Sequence, residues 1–437
     1  MTATAYRAAI AHCIRAPQGA TDTGMLETFD DGLLVVNQGK IVACGDANTL
    51  LPTLAPEIRI VEVRDHIIVP GFVDAHVHAA QLDVIASPGT DLLDWLERFT
   101  FPAEAAFADA NYSALIAGLF CDELLRNGTT SAMVFPTVHA ASVDALFAAA
   151  QARNLRITAG KVLMDRHCPA NLRDTVETGN ADNVALIARW HDKGRLRYAV
   201  TPRFAVTSSE AQLAAAAQLQ HAHDLSMQTH LAENHAEIAE VARLFPKARS
   251  YLDVYEQHGL LGPTSVFAHG IHLDARDRER LRLSGASIAH CPTSNLFLGS
   301  GLMDLRGLID AGINVALATD VGGGTSFSML RTMGAAYQIA QLRGFTPSVA
   351  LLLYLATLGG AKAMNASTEI GNFEAGKDAN FVLLNPKATA LLERRTGLAR
   401  SVEEQLFVLL TLGDERAVAR TFVIGDNAKL GSISRQS

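Results

Sequence analysis

The chain has 437 residues, of which 49% are hydrophobic and 19% are charged. This length and composition exclude a disordered or fibrous protein and allow one large α/β core with a smaller satellite domain. The formal net charge of −8 provides no basic surface for a nucleic-acid backbone, so no nucleic-acid partner is expected.

The five cysteines are scattered without a C-x-x-C pair, at Cys13, Cys44, Cys121, Cys168 and Cys291. This spacing suggests neither a disulfide framework nor a thiolate zinc site, so we expect a reduced, cytoplasmic chain. The N-terminus has no basic segment leading into an apolar one, and no apolar run reaches the ~18 to 20 residues that span a bilayer. We therefore expect neither export nor a membrane partner.

The N-terminal segment, from Tyr6 to Val63, alternates short apolar runs with turn residues, a pattern typical of β-strands. Asn37-Gln38-Gly39 separates two of these runs and predicts a hairpin. The segment carries no cluster of catalytic residue types.

From residue 67 onward, apolar β-branched segments alternate with amphipathic helical segments. Strands are predicted at Ile67–His78, Thr129–Phe135, Arg156–Met164, Arg197–Phe204, Ser226–Leu231, Ser265–His269, Ser287–His290 and Asn314–Thr319. Helices are predicted between them, including Ser113–Arg126, Ser142–Arg153, Ser209–Asp224 and Met303–Asp310. Eight alternating units predict an α/β fold, a (β/α)8 TIM-like barrel, whose functional groups lie at the carboxyl ends of its strands.

The C-terminal part begins with two further predicted helices, Ser328–Arg343 and Ser348–Met364. Turn-punctuated strands then return over residues 370–384, at Leu406–Leu412 and at Ala417–Ile424. Because both ends of the chain are β-rich, we expect one discontinuous β-sandwich domain built from residues 1–69 and 368–437. The barrel would then span residues 70–367.

Histidine and carboxylate residues are concentrated at the ends of the predicted barrel strands. The first strand ends His76-Val77-His78, and alternate residues of a strand point to one face, so both imidazoles can bind one cation. Other strands end in or just before His230, Glu233, His269 and Asp320. Three imidazoles and a carboxylate suit zinc or ferrous iron with a position left for water, which is typical of a catalytic site.

Several longer motifs resemble the amidohydrolase superfamily and, within it, the guanine deaminases. They are Pro70–His78, Leu93–Glu104, Thr201–Phe204, Thr229–Asn234, His290–Asn295 and Asp320–Leu330, and the resemblance covers nearly the whole chain. It implies metal-dependent hydrolysis of guanine to xanthine and ammonia, in a protein that forms a homodimer. The implied partners are a small purine and water.

The resemblance also implies a role for each matching residue. His76, His78, His230 and Asp320 would hold one divalent metal, zinc or alternatively iron. Glu233 would shuttle protons, and His269 and Asp320 would act beside the metal. Gln81, Arg203, Phe204 and Glu233 would contact the purine. Arg203 offers donors that match the O6 acceptor of guanine, where adenine presents an amine.

Two features bear on metal number and substrate. Binuclear members of the superfamily use a carbamylated lysine to bridge two metals. Lys161 lies within the third predicted strand and the fourth ends Thr201-Pro202-Arg203, so no such lysine is expected at the fourth strand and one metal is favoured.

The loop at His167-Cys168 departs from the family, which usually has Asn there, so substrate preference stays open. The alternatives are another aminated heterocycle, such as 8-oxoguanine or a triazine, or a catalytically silent scaffold.

Overall fold

The structure is a computed structural model that describes residues 3–89 and 92–428. The strands are β1 (Thr4–Cys13), β2 (Leu26–Asn37), β3 (Lys40–Asp46), β4 (Arg59–Pro70), β5 (Phe72–His78), β6 (Thr129–Phe135), β7 (Arg156–Ala159), β8 (Val162–Leu163), β9 (Arg197–Pro202), β10 (Ser226–Leu231), β11 (Ser265–His269), β12 (Ser287–His290), β13 (Asn314–Leu317), β14 (Phe381–Leu384), β15 (Val418–Val423) and β16 (Asp426–Asn427).

The α-helices are α1 (Ala47–Leu50), α2 (Leu92–Trp95), α3 (Phe101–Ala105), α4 (Ala110–Arg126), α5 (Ala140–Ala152), α6 (Val176–Trp190), α7 (Glu210–Ala222), α8 (His235–Leu244), α9 (Tyr251–Gln257), α10 (Ala275–Ser284), α11 (Pro292–Phe297), α12 (Leu305–Asp310), α13 (Met329–Leu342), α14 (Val349–Ala356), α15 (Leu358–Ala363), α16 (Ala390–Thr396) and α17 (Val402–Leu412). Short 3-10 helices include Ala79–Val84, and a π-helix covers Leu96–Thr100.

Eight parallel strands form the barrel, in the order β5-β6-β7-β9-β10-β11-β12-β13. The sheet closes where the chain leaves β13 and meets β5. At this seam Asp320 N donates to His76 O at 2.9 Å, and His78 N donates to Val321 O at 2.8 Å. The predicted (β/α)8 barrel is confirmed, and the seam places the end of its last strand against the end of its first.

Asp74 ties the two sides of this seam together through its side chain. Its Oδ1 accepts hydrogen bonds from Thr319 N at 3.0 Å and His76 N at 3.3 Å, and its Oδ2 accepts one from the Thr319 hydroxyl. Complete burial raises the pKa of Asp74 to about 7, although these hydrogen bonds act in the opposite direction. The carboxylate thus holds β5 and the end of β13 in register.

Strands from both ends of the chain form a second, mixed sheet, in the order β16-β15-β14-β4-β1-β2-β3. The predicted hairpin is present, since Asn37 pairs with Lys40 while Gln38 and Gly39 adopt φ values of 50° and 78° that suit a two-residue turn. The expected discontinuous β-domain is confirmed.

Two predicted strands are each two strands in the structure. Ile67–His78 divides at Gly71 into β4 of the terminal sheet and β5 of the barrel, and a Cβ at Gly71 would lie 2.3 Å from Thr130 Oγ1. Arg156–Met164 divides into β7 and β8 at Gly160, where a Cβ would lie 1.8 Å from Ala199 O. Both halves of each run are buried, so the apolar pattern continues across the break.

The strand predicted at Leu406–Leu412 is wrong, because these residues lie in helix α17. Ser401 caps this helix by accepting a hydrogen bond from Glu404 N at 3.2 Å, and two glutamates occupy the first turn, where the helix dipole favours negative charge. A short apolar run does not by itself distinguish a buried strand from a buried helix.

Lys161 is a structural residue rather than a candidate ligand. Its side chain is only 1% exposed, its Nζ pairs with Asp174, and Asp182 Oδ2 lies 3.7 Å away. In the described part of the chain no helix is long and apolar enough to cross a membrane. The five cysteines are all unpaired.

We expect Lys161→Met to lower the free energy of unfolding by about 3 kcal/mol, because it leaves buried carboxylate charge unpaired. Metal bound per folded chain should stay at the parent value. Denaturant unfolding and metal analysis of the purified variant measure the two quantities. Lys193→Met, at an exposed position, is the matched control and should change stability by less than about 0.5 kcal/mol. Loss of metal from folded Lys161→Met would contradict the structural assignment.

Candidate active site

Four predicted ligands converge at the carboxyl end of the barrel. His78 Nε2 lies 3.2 Å from His76 Nε2 and 3.3 Å from His230 Nε2. Asp320 Oδ1 lies 3.2 Å from His76 Nε2 and 3.3 Å from His78 Nε2. Ligands about 2.0 to 2.1 Å from a tetrahedral ion lie roughly 3.3 Å apart, so these separations fit one divalent metal.

The protonation of these residues also suits metal binding. His230 Nδ1 lies 2.7 Å from Arg203 O and donates its hydrogen there, so the Nε2 lone pair faces the other ligands. Burial lowers the pKa of His76 to about 4 and that of His230 well below its ordinary value. Burial alone would raise the pKa of Asp320, but hydrogen bonds from His76 and His78 hold it well below its usual range. The cluster therefore presents neutral imidazoles and an ionised carboxylate.

Unusual backbone at the strand ends aims two of the site residues. His269 and Asp320 have φ values of 69° and 50°, in the left-handed region that most residues avoid.

The glycine run Gly322–Gly324, which follows Asp320, is closely packed. A Cβ at Gly322 would lie 2.6 Å from Gln81 O, and one at Gly324 would lie 1.7 Å from Thr319 O. The run lets the backbone pack closely at the mouth of the barrel.

Glu233 and His269 form an acid–base pair beside the four ligands. Glu233 Oε2 lies 3.3 Å from His269 Nε2, and Oε1 accepts a hydrogen bond from Ser300 Oγ at 2.9 Å. Burial raises the pKa of Glu233 to about 7. Burial acts to lower the pKa of His269, but Glu233 and Asp320 outweigh it and raise that pKa above its ordinary value. His269 Nδ1 lies 2.9 Å from Asn295 Oδ1, so that hydrogen bond fixes the orientation of the ring.

A cavity that is partly open to solvent adjoins these groups. It is lined by His78, Gln81, Leu92, Trp95, Leu96, Arg203, Phe204, His230, Glu233, Glu237, His269, Leu298, Asp320 and Gly323. Its lining combines the apolar side chains of Leu92, Trp95, Leu96 and Leu298 with the amide of Gln81 and the guanidinium of Arg203, a combination typical of small-molecule sites.

Eight of the nine predicted site residues line this cavity, and the ninth, His76, belongs to the ligand cluster beside it. His167 does not join them. It is exposed, adopts a φ of 47° in its loop and is absent from the cavity lining. His235 is also exposed and packs against His272, with ring centroids 3.9 Å apart. Neither histidine therefore adds a proton-transfer group to the cavity.

The sequence interpretation missed residues that hold the site from behind. Glu104 contacts Arg203, Asn295 contacts His269, and Ser300 contacts Glu233. The apolar wall of Leu92, Trp95, Leu96 and Leu298 was also missed. Glu104 and Asn295 lie inside the motifs that carry the family resemblance, so their position was a usable signal. Ser300 lies in a loop without such a signal.

The arrangement supports hydrolysis at an electrophilic carbon. A site for a divalent metal, a carboxyl group with a pKa near neutrality and a polar wall for orienting the ligand share one cavity. A carboxyl group placed in this way can transfer protons between water and a leaving group.

Comparisons with known proteins agree with this geometry. Residues 67–426 match the Amidohydrolase family. The chain is 47% identical to the guanine deaminase of Escherichia coli K12 over 401 residues, which cover 92% of this chain and 91% of the relative. The solved structure of E. coli guanine deaminase has a TM-score of 0.95 at 44% identity and covers 98% of this chain and 99% of its own.

A second solved structure contains a ligand. Guanine deaminase from C. acetobutylicum, with guanine bound in its active site, has a TM-score of 0.88 at 28% identity and covers 98% of this chain and all of its own. The fold, the geometry of the site and the similarity over nearly the full length of the chain all indicate the same family. The chain therefore belongs to the amidohydrolase family and, within it, to the guanine deaminases.

Proposed function

We propose that this protein hydrolyses guanine to xanthine and ammonia. The observation that carries the proposal is that Glu233, Asp320 and Arg203 line one cavity. The cavity thus combines groups for activating water and moving protons with donors for a purine edge. The guanine deaminases to which the chain is similar over its whole length support the same substrate.

We propose one zinc ion per chain as the metal, with iron as the alternative. His76, His78, His230 and Asp320 would hold it, because their donor atoms all lie within 4.8 Å of one another and are in the protonation states that ligands require. When bound, such a metal polarises an oxygen and lowers the pKa of a coordinated water.

The two oxygens of Asp320 support two roles. Oδ1 lies 3.2 Å from His76 Nε2 and 3.3 Å from His78 Nε2, whereas Oδ2 lies 3.7 Å from His269 Nε2. Oδ2 is therefore placed to accept a proton from the attacking water while Oδ1 remains a ligand. His269 lies beside the same oxygen and would orient the water.

Glu233 is placed to move protons to the substrate. With a pKa of about 7, its carboxyl group both holds and releases a proton near neutral pH. It would protonate ring nitrogen N3 as water adds to C2, then take up the proton of the new C2 hydroxyl group and deliver it to the leaving amine. Ser300 donates to Oε1 of Glu233 at 2.9 Å, and Oε2 lies 3.3 Å from His269 Nε2, so both oxygens of the carboxyl group are held in place at the cavity.

Arg203, Gln81 and Phe204 would bind the purine. Both polar side chains are buried at the cavity wall, where their donors match the O6 and N7 acceptors of guanine. Adenine would place an amine against the guanidinium and leave it unpaired, which costs far more than a small loss of contact area. The alternative substrates, 8-oxoguanine or a triazine, are not favoured. The presence of all four candidate metal ligands argues against the other alternative, a catalytically silent scaffold.

We further propose a cytoplasmic homodimer, in which residues 70–367 form the barrel domain and residues 1–69 and 368–437 the terminal β-domain. The unpaired cysteines support a reducing compartment. The dimer rests on the family resemblance. Residues 1–2 and 429–437 of the proposed β-domain lie outside the described part of the chain.

We expect purified protein to contain about one zinc or iron per chain, and His76→Ala and His230→Ala to lose it. Each substitution removes one of four converging ligands. Metal analysis of the folded variants is the measurement, and exposed His223→Ala is the control that should retain the metal. Near-full occupancy in both ligand variants would refute the assignment.

We expect guanine to be deaminated with a kcat/KM at least about 10²-fold above that of adenine, because only guanine satisfies the donors of Arg203. Arg203→Ala should lower activity on guanine strongly, whereas Arg64→Ala, in the terminal sheet and exposed, should not. Ammonia release from both purines measures the ratio. Comparable turnover of adenine by the parent protein would contradict the role of Arg203.

We expect Glu233→Gln to keep the fold and the metal but to lose at least ~10²-fold in turnover, since the amide has the shape of the carboxyl group and cannot carry its proton. Turnover per metal-loaded chain at saturating guanine is the measurement, over a series of pH values. Near-parental turnover would remove Glu233 from the mechanism. A small loss that disappears at higher pH would instead indicate an altered pKa of the attacking water.

A further inference from the structure

Glu104 is a buried carboxylate directly behind the polar wall of the cavity. Its side chain is 0% exposed, and both of its oxygens accept hydrogen bonds from Arg203 Nη1, at 2.7 and 2.8 Å. Gln81 Nε2 donates to Glu104 Oε1 at 3.5 Å, at the limit of a hydrogen bond. One carboxylate is therefore bonded to both polar side chains proposed to bind the purine.

The local chain explains how Glu104 reaches this position. The π-helix Leu96–Thr100 runs directly into helix α3, and Pro102 occupies the first turn of α3. The same turn carries Phe101, whose ring centroid lies 5.5 Å from the guanidinium carbon of Arg203. Glu104 and Phe101 thus hold the guanidinium from two sides.

Arg203 keeps donors available for a ligand. Its Nη1 is bonded to Glu104, while its Nε and Nη2 make no hydrogen bond to any residue that the structure describes. Gln81 is oriented from its other end, because its Oε1 accepts a hydrogen bond from Gly322 N at 3.1 Å. The remaining donors are therefore pre-positioned at the cavity wall, and preorganisation of this kind lowers the cost of binding.

Glu104 also determines the charge of this wall. An unpaired guanidinium at a buried site attracts anions strongly, and pairing it with a carboxylate removes most of that attraction. The charge matters for this reaction because guanine is neutral near pH 7, whereas xanthine loses a ring proton more readily and becomes an anion. A wall with no net charge therefore holds the substrate without favouring the ionised product.

We propose that Glu104 is a positioning residue with two effects: it orients Arg203 and Gln81 toward the purine, and it balances the charge of Arg203 so that anionic xanthine is released. This inference rests on the proposed deamination of guanine. Glu104 acts through Arg203 and Gln81 and does not itself line the cavity.

The test compares two purines that present the same O6 and N7 edge. At mildly alkaline pH xanthine is an anion and hypoxanthine is neutral, so the ratio of their inhibition constants (xanthine over hypoxanthine) against guanine turnover reports the charge of the wall. In metal-loaded Glu104→Gln we expect a higher KM for guanine and a ratio about tenfold below that of the parent. Loss of positioning alone would weaken both inhibitors equally and leave the ratio unchanged.

Glu104→Asp separates the two effects, because it keeps the charge and shortens the side chain. We expect this variant to raise the KM for guanine while the ratio stays at the parent value. Glu97→Gln makes the same charge change at an exposed residue of the adjacent π-helix and is the matched control, with parental KM and ratio. Metal content and thermal unfolding of each variant establish that the folded holoenzyme is compared.

An unchanged ratio in Glu104→Gln would overturn the inference, provided that the parent deaminates guanine. A parent that does not release ammonia from guanine would instead overturn the proposed function. If Glu104→Gln does not retain its metal, Arg203→Gln tests the same balance from the other side. It leaves the Glu104 carboxylate unpaired, so the ratio must rise by about tenfold, and no rise would overturn the inference.

Discussion

The site depends on the seam that closes the barrel. Two backbone hydrogen bonds, Asp320 N to His76 O and His78 N to Val321 O, join the end of the last strand to the first. Asp74 strengthens this seam by accepting hydrogen bonds from Thr319 across it. The same residues that close the barrel carry three of the four candidate ligands. The geometry of the metal site is therefore a consequence of barrel closure.

Arg203 links the metal side of the cavity to the purine side. Its backbone carbonyl accepts the hydrogen of His230 Nδ1 at 2.7 Å and so directs the Nε2 lone pair of that ligand toward the metal position. Its guanidinium is held by Glu104. A shift of the strand end at Arg203 would move both groups, so one residue constrains the distance between the proposed metal position and the proposed purine position.

Burial and local hydrogen bonds give the histidines and the two carboxyl groups of the cavity different pKa values. It lowers the pKa of the histidine ligands, whereas hydrogen bonds from His76 and His78 keep Asp320 ionised. Among the residues that the structure describes, Glu233 contacts Ser300 and His269 but no lysine or arginine, and burial raises its pKa to about 7. Two carboxyl groups in one cavity are thus suited to different tasks, one as a permanent base and ligand and the other as a proton carrier.

The sequence by itself determined the fold class and brought the four candidate ligands together, and the family resemblance added Glu233 as the proposed proton carrier. Strand periodicity places His76 and His78 on one face, and parallel barrel strands bring their carboxyl ends to one mouth, so the fold class and the ligand cluster follow from local pattern. Only the tertiary structure decided the division at Gly71, the helix at Leu406–Leu412 and the contact of Glu104 with Arg203. Buried strands and buried helices share one apolar pattern, and Glu104 lies 99 residues from Arg203, so only packing brings the two together.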